Sequence, residues 1–409
     1  MANMIARELY RNIWQELASD KEMVFLAGPR QTGKTTLGGI IAKGFANSLY
    51  FNWDIPEQRS RLLQNPSFFE EVDRKDASPP LIIFDEIHKY RDWKNYLKGV
   101  YDSSRNGYRF LVSGSGRLDI YQKGGDSLAG RYLLFHLFPF TLAELGNARR
   151  PHEEFMVAPF AISSANESEL REIWNSLGSY SGFPEPFLTA REATYARWSN
   201  SYARQLIRED IRDLTDVRSV TAMETLFHLL PSRVGNPLSV SGMARDLQVS
   251  PVSVRNWLEL FERFFLVFSI APWTEKVARA ILKERKVYLF DYPRIKDDGA
   301  RFENRVALEL WRAVTSWNDL GWGDFGLHFI RNKEKQEVDF LLTRNREPFL
   351  LVEAKLAERE PSAPLRKFQQ ALRVPALQLI EAGDRYRLVS NGDQQIMVAP
   401  AWLWLAGLP

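Results

Sequence analysis

The stretch "FLAGPRQTGKTTLGG" (residues 25–39) decides how the rest of the chain is read. A short apolar run stops at Gly28, and residues 28–35 fit the spacing G-x-x-x-x-G-K-[ST] between a predicted strand and a predicted helix. Each residue type has a physical reason. Glycine lets the backbone approach an anion, successive amides point inward as a nest, and the helix amino terminus adds favourable dipole charge. Gly28, Pro29, Arg30, Gln31, Thr32, Gly33, Lys34, Thr35 and Thr36 are therefore the expected ATP-binding residues. Lys34 is expected to reach the β- and γ-phosphates, and Thr35 to hold Mg²⁺.

Two further strands support this reading. "LIIFDEIHKY" (81–90) is an apolar strand ending in Asp85 and Glu86. Asp85 at its end is expected beside the Mg²⁺, and Glu86 to polarise the attacking water. "FLVSGSGRL" (110–118) ends in small polar residues, and Ser113 or Ser115 is expected to contact the γ-phosphate or that water.

At 409 residues the chain calls for two to four domains, and 45% apolar and 13% aromatic content suit a folded protein. The net charge of +3 is too small to imply a nucleic-acid partner by itself, so local clusters must carry that case. There is no cysteine, which removes disulfides and thiol chemistry, and the five histidines show no metal-ligand spacing. No stretch is long and apolar enough for a signal peptide or a bilayer-spanning helix, so a cytoplasmic protein without a membrane partner is expected.

Four units are read along the chain. Residues 1–148 alternate strands and helices, 149–235 are helical, 236–286 form a small helical module, and 287–409 return to α/β alternation. The fold class is α/β throughout the two larger units.

The order of phosphate loop, Asp-Glu strand, "SGS" strand and "SLAGRYLLFHLFPFTLAEL" (127–145) resembles the AAA+ ATPases, and more narrowly the bacterial and archaeal ones that carry a DUF4143 carboxy-terminal region. "GSYSGFPEPF" (178–187) is similar to a motif of that family's helical lid. The resemblance implies ATP hydrolysis at subunit interfaces of a homo-oligomer, with a hexamer as one candidate. It also implies that an arginine reaches a neighbouring subunit's site. Arg131 is at the matching place, with Arg117 as the rival.

Within 238–273, Met243, Leu247 and Val249 mark one apolar helix face, and Val254, Trp257, Leu258 and Phe261 recur at helical spacing on the next. Ser250-Pro251 supplies an N-cap and a helix-compatible proline between them. This is the rhythm of a helix-turn-helix, with "TEKVARAILKERK" (274–286) suiting the wing of a winged helix. Ser253, Arg255 and Asn256 on the second helix, and Lys276 and Arg279 in the wing, are the expected DNA contacts.

The last unit reads as a helix at 300–314, strands at 327–331, 337–344 and 348–356, a helix, and a strand at 376–381. That succession, with Asp339 and Glu353-Ala354-Lys355 on neighbouring strands, is similar to the PD-(D/E)xK nuclease core. Glu353 and Lys355 fall on one face of an extended strand. Glu303, Asp339, Glu353 and Lys355 are thus a candidate nuclease site with a second divalent metal. Members of such fused families often keep this fold to bind DNA without cutting it. An ATP-driven DNA-remodelling or DNA-translocating enzyme is the leading expectation. A signalling switch with a protein-binding tail and an ATP-regulated endonuclease are the alternatives.

Overall fold

The computed structural model describes residues 5–104, 107–114, 128–162, 166–211, 220–274, 284–357 and 360–409. Ser115, Arg117, Lys276 and Arg279 lie outside the described residues. The chain parts into two compact units, Met1–Phe138 and Pro139–Pro409.

The first unit is built on a parallel sheet. Strands β1 (Met23–Ala27), β2 (Ser48–Asn52), β3 (Leu81–Asp85), β4 (Arg109–Ser113) and β5 (Leu133–His136) lie in the order β2-β3-β4-β1-β5. All four pairings are parallel. Every residue of β1 and β3 is buried, as continuous apolar strands in a sheet covered on both faces require. The covering helices include α1 (Glu8–Asp20), α2 (Lys34–Ala42), α3 (Pro56–Gln64) and α4 (Trp93–Ser103). Aromatic rings fill one layer: Phe25 stacks on Tyr132 with centroids 4.1 Å apart, and Phe84 on Phe110. This order inserts β4 between the strand that feeds the phosphate loop and the strand that ends in Asp85. Register then sets Ser113 beside both Leu26 and Asp85, so the chemistry-bearing residues gather at the carboxyl edge of the sheet.

The second unit opens with helices, among them α5 (Glu167–Tyr180), α6 (Glu192–Gln205), α7 (Val220–Leu229), α8 (Val240–Asp246) and α9 (Pro251–Arg263). The Ser250 hydroxyl accepts the Ser253 amide at 3.0 Å, so α9 starts on the expected cap. The strands are β6 (Val267–Pro272), β7 (Lys286–Leu289), β8 (Phe325–Arg331), β9 (Glu337–Arg344), β10 (Glu347–Lys355), β11 (Ala376–Ile380), β12 (Arg387–Asn391) and β13 (Gln394–Pro400). They form one eight-stranded sheet in the order β12-β13-β11-β10-β9-β8-β6-β7. The antiparallel pair β6–β7, which flanks the segment 274–286 read as a wing, joins this sheet because β6 runs parallel to β8 at Ala271–His328 and Pro272–Phe329. Helices α10 (Asp298–Asp319), α11 (Ala363–Leu372) and α12 (Ala401–Leu405) complete the unit. The succession α10, β8-β9-β10, α11, β11 is the one read from the sequence.

Inside this unit Glu309 of α10 is buried, and its Oε1 accepts the Leu142 amide at 2.6 Å. Burial pushes its carboxyl up to about 7, against the pull of the Leu142 amide and the Arg312 guanidinium. Between its ordinary value of 4.5 and about 7 the folded chain therefore holds more protons than the unfolded chain, and stability falls as pH rises through that window. Glu309→Gln keeps the acceptor and removes this loss. It should stabilise the protein by about 3 kcal/mol at pH 8 and change little at pH 4. Denaturant unfolding at the two pH values checks this, and an unchanged pH slope would refute it.

Candidate functional site

The phosphate loop has the backbone that its glycines allow. Gly28 has φ 146° and Gly33 φ 91°, while Gln31 takes the left-handed region at φ 61°. A Cβ on Gly28 would lie 2.2 Å from the Leu137 carbonyl oxygen, so only glycine fits. The Lys34 side chain curls over the loop and donates to the carbonyls of Gly28 (3.0 Å) and Pro29 (2.6 Å). Burial lowers its pKa to about 8, a loss partly offset by the Glu86 and Asp85 carboxylates. Incoming phosphates would favour its charged form further. Thr35 and Thr36 stand exposed on the first turn of α2, and Arg30 and Gln31 are at the loop's outer side.

Asp85 is buried and held from three directions. Its Oδ2 accepts the hydroxyls of Thr35 (2.8 Å) and Tyr50 (2.7 Å), and its Oδ1 accepts the Ser113 hydroxyl. Thr35 and Asp85 thus bring a hydroxyl and a carboxylate together beside the loop. That donor set fits Mg²⁺, a hard cation bound through one or two protein oxygens plus substrate phosphates.

Glu86 follows at φ 57°, with its amide donated to the Ser113 carbonyl at 3.0 Å. Its Oε2 lies 3.1 Å from Lys89 Nζ, which also donates to Asp54 at 2.5 Å. Burial works against the charge on Lys89, but Asp54 and Glu86 outweigh it and hold its pKa above the ordinary value. Arg131 forms a two-pronged pair with Asp102 of α4, Nε to Oδ1 at 2.8 Å and Nη2 to Oδ2 at 3.1 Å.

Sequence reasoning missed two supports of this site. Arg7, buried and itself at φ 50°, donates to the Thr32 carbonyl (2.7 Å) and to the Phe138 carbonyl (2.7 Å), tying the loop to the end of the sheet. Tyr50 closes on Asp85 from β2; burial and that hydrogen bond push its hydroxyl well above the usual tyrosine range. Neither contact leaves a local pattern, since each partner is 25 or more residues away.

In the second unit, Arg255 and Asn256 are exposed on α9 as read, whereas Ser253 is half-buried in the helix cap, its hydroxyl 2.9 Å from that of Ser250. Glu303, Asp339 and Lys355 line one open cleft of about 630 Å³. Glu353 lies buried beside it, accepting the Ser362 hydroxyl at 2.6 Å and pairing with Lys355 at 3.2 Å. The residue that the sequence did not single out is Lys286. Its Nζ is 3.0 Å from Glu303, 2.8 Å from Glu337 and 3.6 Å from Asp339. Among the described residues no group of three or more His, Cys, Asp or Glu side chains is arranged to hold a metal ion. Lys286 and Lys355 pair with the acids at the cleft, and a donor set compensated in this way does not fit a second divalent metal.

No helix among the described residues is long and apolar enough to cross a membrane. The model of the AAA domain matches residues 20–146, and the domain of unknown function DUF8612 matches residues 171–292. An uncharacterized protein of Mycobacterium tuberculosis is 25% identical over 269 residues, 66% of this chain and 54% of that protein. The chain thus spans about half the length of the mycobacterial relative it matches. An uncharacterized protein of Methanocaldococcus jannaschii is 23% identical over 91% of this chain and 82% of its own. Among solved structures, a Walker-type ATPase of Pyrococcus abyssi is similar at TM-score 0.43 and 15% identity, covering 70% of this chain and 93% of that one. Residues 20–146 are thus similar to the AAA domain, and they form a parallel sheet whose edge gathers Lys34, Thr35, Asp85 and Ser113, the features expected of an AAA-type ATPase.

Proposed function

We propose that the protein couples Mg²⁺-dependent ATP hydrolysis to the binding, remodelling or translocation of DNA, with branched or junction DNA among the candidate substrates, and that it works as a homo-oligomer. The observation that carries the ATP side is the convergence of Thr35, Tyr50 and Ser113 on Asp85 at one sheet edge, beside the loop that Lys34 spans and next to Glu86. Lys34 would exchange its loop carbonyls for the β- and γ-phosphates. Thr35 and Asp85 would hold Mg²⁺, which supplies positive charge to the phosphate oxygens when bound. Glu86 would take the proton of the water whose oxygen attacks the γ-phosphorus as the bond to the β-bridging oxygen breaks. Ser113 and Tyr50 keep Asp85 from rotating out of that arrangement.

The DNA side is supported by α8, α9 and the β6–β7 strands. They follow the order of a winged helix, with Arg255 and Asn256 turned outward on the second helix. A second reading, an ATP-gated switch with a protein-binding carboxy-terminal domain, is favoured by a different observation. The candidate base Glu86 is held by Lys89, and the candidate trans-acting Arg131 is held by Asp102. Slow turnover would follow if those pairs persist in the assembled protein.

ATP turnover measured without nucleic acid and with single-stranded, duplex and branched DNA separates the two, with Lys34→Ala as the control. Stimulation of about tenfold by one DNA form, lost in Lys34→Ala, is the expected result. Slow turnover indifferent to every DNA would establish the switch instead. In the assembled oligomer Arg131→Ala should depress turnover, and unchanged turnover would leave Arg131 as a partner of Asp102 alone.

A further inference from the structure

The second unit has the layout of a phosphodiester-cleaving core, yet a side chain of its own stands among the acids. Lys286 is on β7, a strand whose four residues are all buried, and its side chain is fully shielded from solvent. Phe329 lies beneath the ammonium, 5.5 Å from ring centroid to Nζ. Around it, Glu303 arrives from α10, and Glu337 and Asp339 from β9. Several oxygens of the cluster have a further partner. Tyr288, two residues along β7, donates to the same Glu303 Oε1 at 2.7 Å. Asp339 Oδ2 accepts the Ala354 amide at 3.0 Å, and Glu337 Oε2 lies 3.7 Å from Arg331. Glu353, the remaining acid of the expected metal pair, is taken by Ser362 and Lys355.

We propose that the Lys286 ammonium is the resident counter-cation of these acids, packed behind the cleft that Glu303 and Asp339 line, and that the cleft accordingly takes up no catalytic metal. A divalent ion requires carboxylate oxygens at about 2.0–2.6 Å, with lone pairs directed at it. Here one oxygen each of Glu303, Glu337 and Asp339 lies 3.0, 2.8 and 3.6 Å from an ammonium that cannot leave, because its chain is part of the sheet. A metal entering between Glu303 and Asp339 would meet a fixed positive charge in contact with both. Burial works against the charge on Lys286, but the three carboxylates outweigh it and keep it protonated at neutral pH. Lys286 also ties β7, α10 and β9 together, so removing its charge would leave three acids facing one another.

The inference is independent of ATP turnover and is tested by Mn²⁺ binding, read from the electron paramagnetic resonance of free Mn²⁺ with the full chain and no nucleotide. The wild-type protein should show no site tighter than about 1 mM that depends on Asp339, and no Mn²⁺-dependent nicking of plasmid DNA. Lys286→Ser should gain one site, about tenfold tighter or more, which Asp339→Asn in the same chain removes. A wild-type site abolished by Asp339→Asn would overturn the proposal. So would a folded Lys286→Ser protein that takes up no Mn²⁺. Should Lys286→Ser fail to fold, the comparison of wild type with Asp339→Asn decides alone.

Discussion

Glu86→Gln should still bind ATP and should turn it over about 10²–10⁴-fold more slowly, the span a positioned general base contributes. The reasoning rests on which carboxylate is available. Asp85 has both oxygens committed, to Thr35 and Tyr50 on one side and Ser113 on the other, and it is buried. It can position; it has no geometry for taking a proton. Glu86 keeps 20% of its side chain exposed; its ionic partner is Lys89, and His88 Nε2 lies 3.7 Å away. Its left-handed backbone turns the side chain out of the strand direction just past the sheet edge, where a water could be held. Glutamine preserves shape and loses basicity, so binding of a fluorescent ATP analogue should be unchanged while phosphate release collapses. Turnover within about threefold of wild type would remove Glu86 from the mechanism and leave it as the anchor of Lys89.

Gly28→Ala should cost the first unit about 2–4 kcal/mol and abolish measurable ATP binding. The added Cβ would sit 2.2 Å from a main-chain oxygen, that of Leu137, and backbone cannot swing aside as a side-chain tip can. Relief must come from moving the loop, and the loop also carries the carbonyls that Lys34 grips and the one that Arg7 grips at Thr32. Gly39 provides the matched control. A Cβ there meets nothing within 4 Å, so Gly39→Ala should be neutral or stabilising by up to about 1 kcal/mol, from helix propensity. Thermal unfolding and analogue binding of the two variants side by side test the claim. Equal behaviour would show that the loop yields more readily than its contacts indicate.

The phosphate loop and the Asp-Glu strand were legible because their chemistry is local. Glycine, lysine and threonine at fixed spacing after an apolar run determine a backbone shape within ten residues. Lys286 was not legible for the opposite reason. It ends the segment "TEKVARAILKERK", which reads as a solvated basic face, and its burial comes from Glu303, Glu337 and Asp339, 17 to 53 residues further on. Charge runs are ordinarily exposed, and the pairing of β7 beside β6 takes this lysine inside. Arg131 follows the same logic: its place in the sequence suggests reach toward a neighbour, while Asp102, 29 residues earlier, engages it within the chain. The strands β8–β10 were readable as short apolar runs. The extension of their sheet by β6 and β7 at one edge was not, because β6 ends more than 50 residues before β8 begins.

That extension determines how the protein can be taken apart. A fragment covering residues 171–292, where one family match ends, would keep β6 and β7 and lose β8, stripping β6 of its partners at Ala271 and Pro272 and uncovering a strand edge. It would also retain Lys286 without any of the three acids that neutralise it. Such a piece has an unpaired edge for self-association and an uncompensated charge where its interior should be. For crystallisation, labelling or transplantation, the compact unit Pro139–Pro409 keeps these partners together.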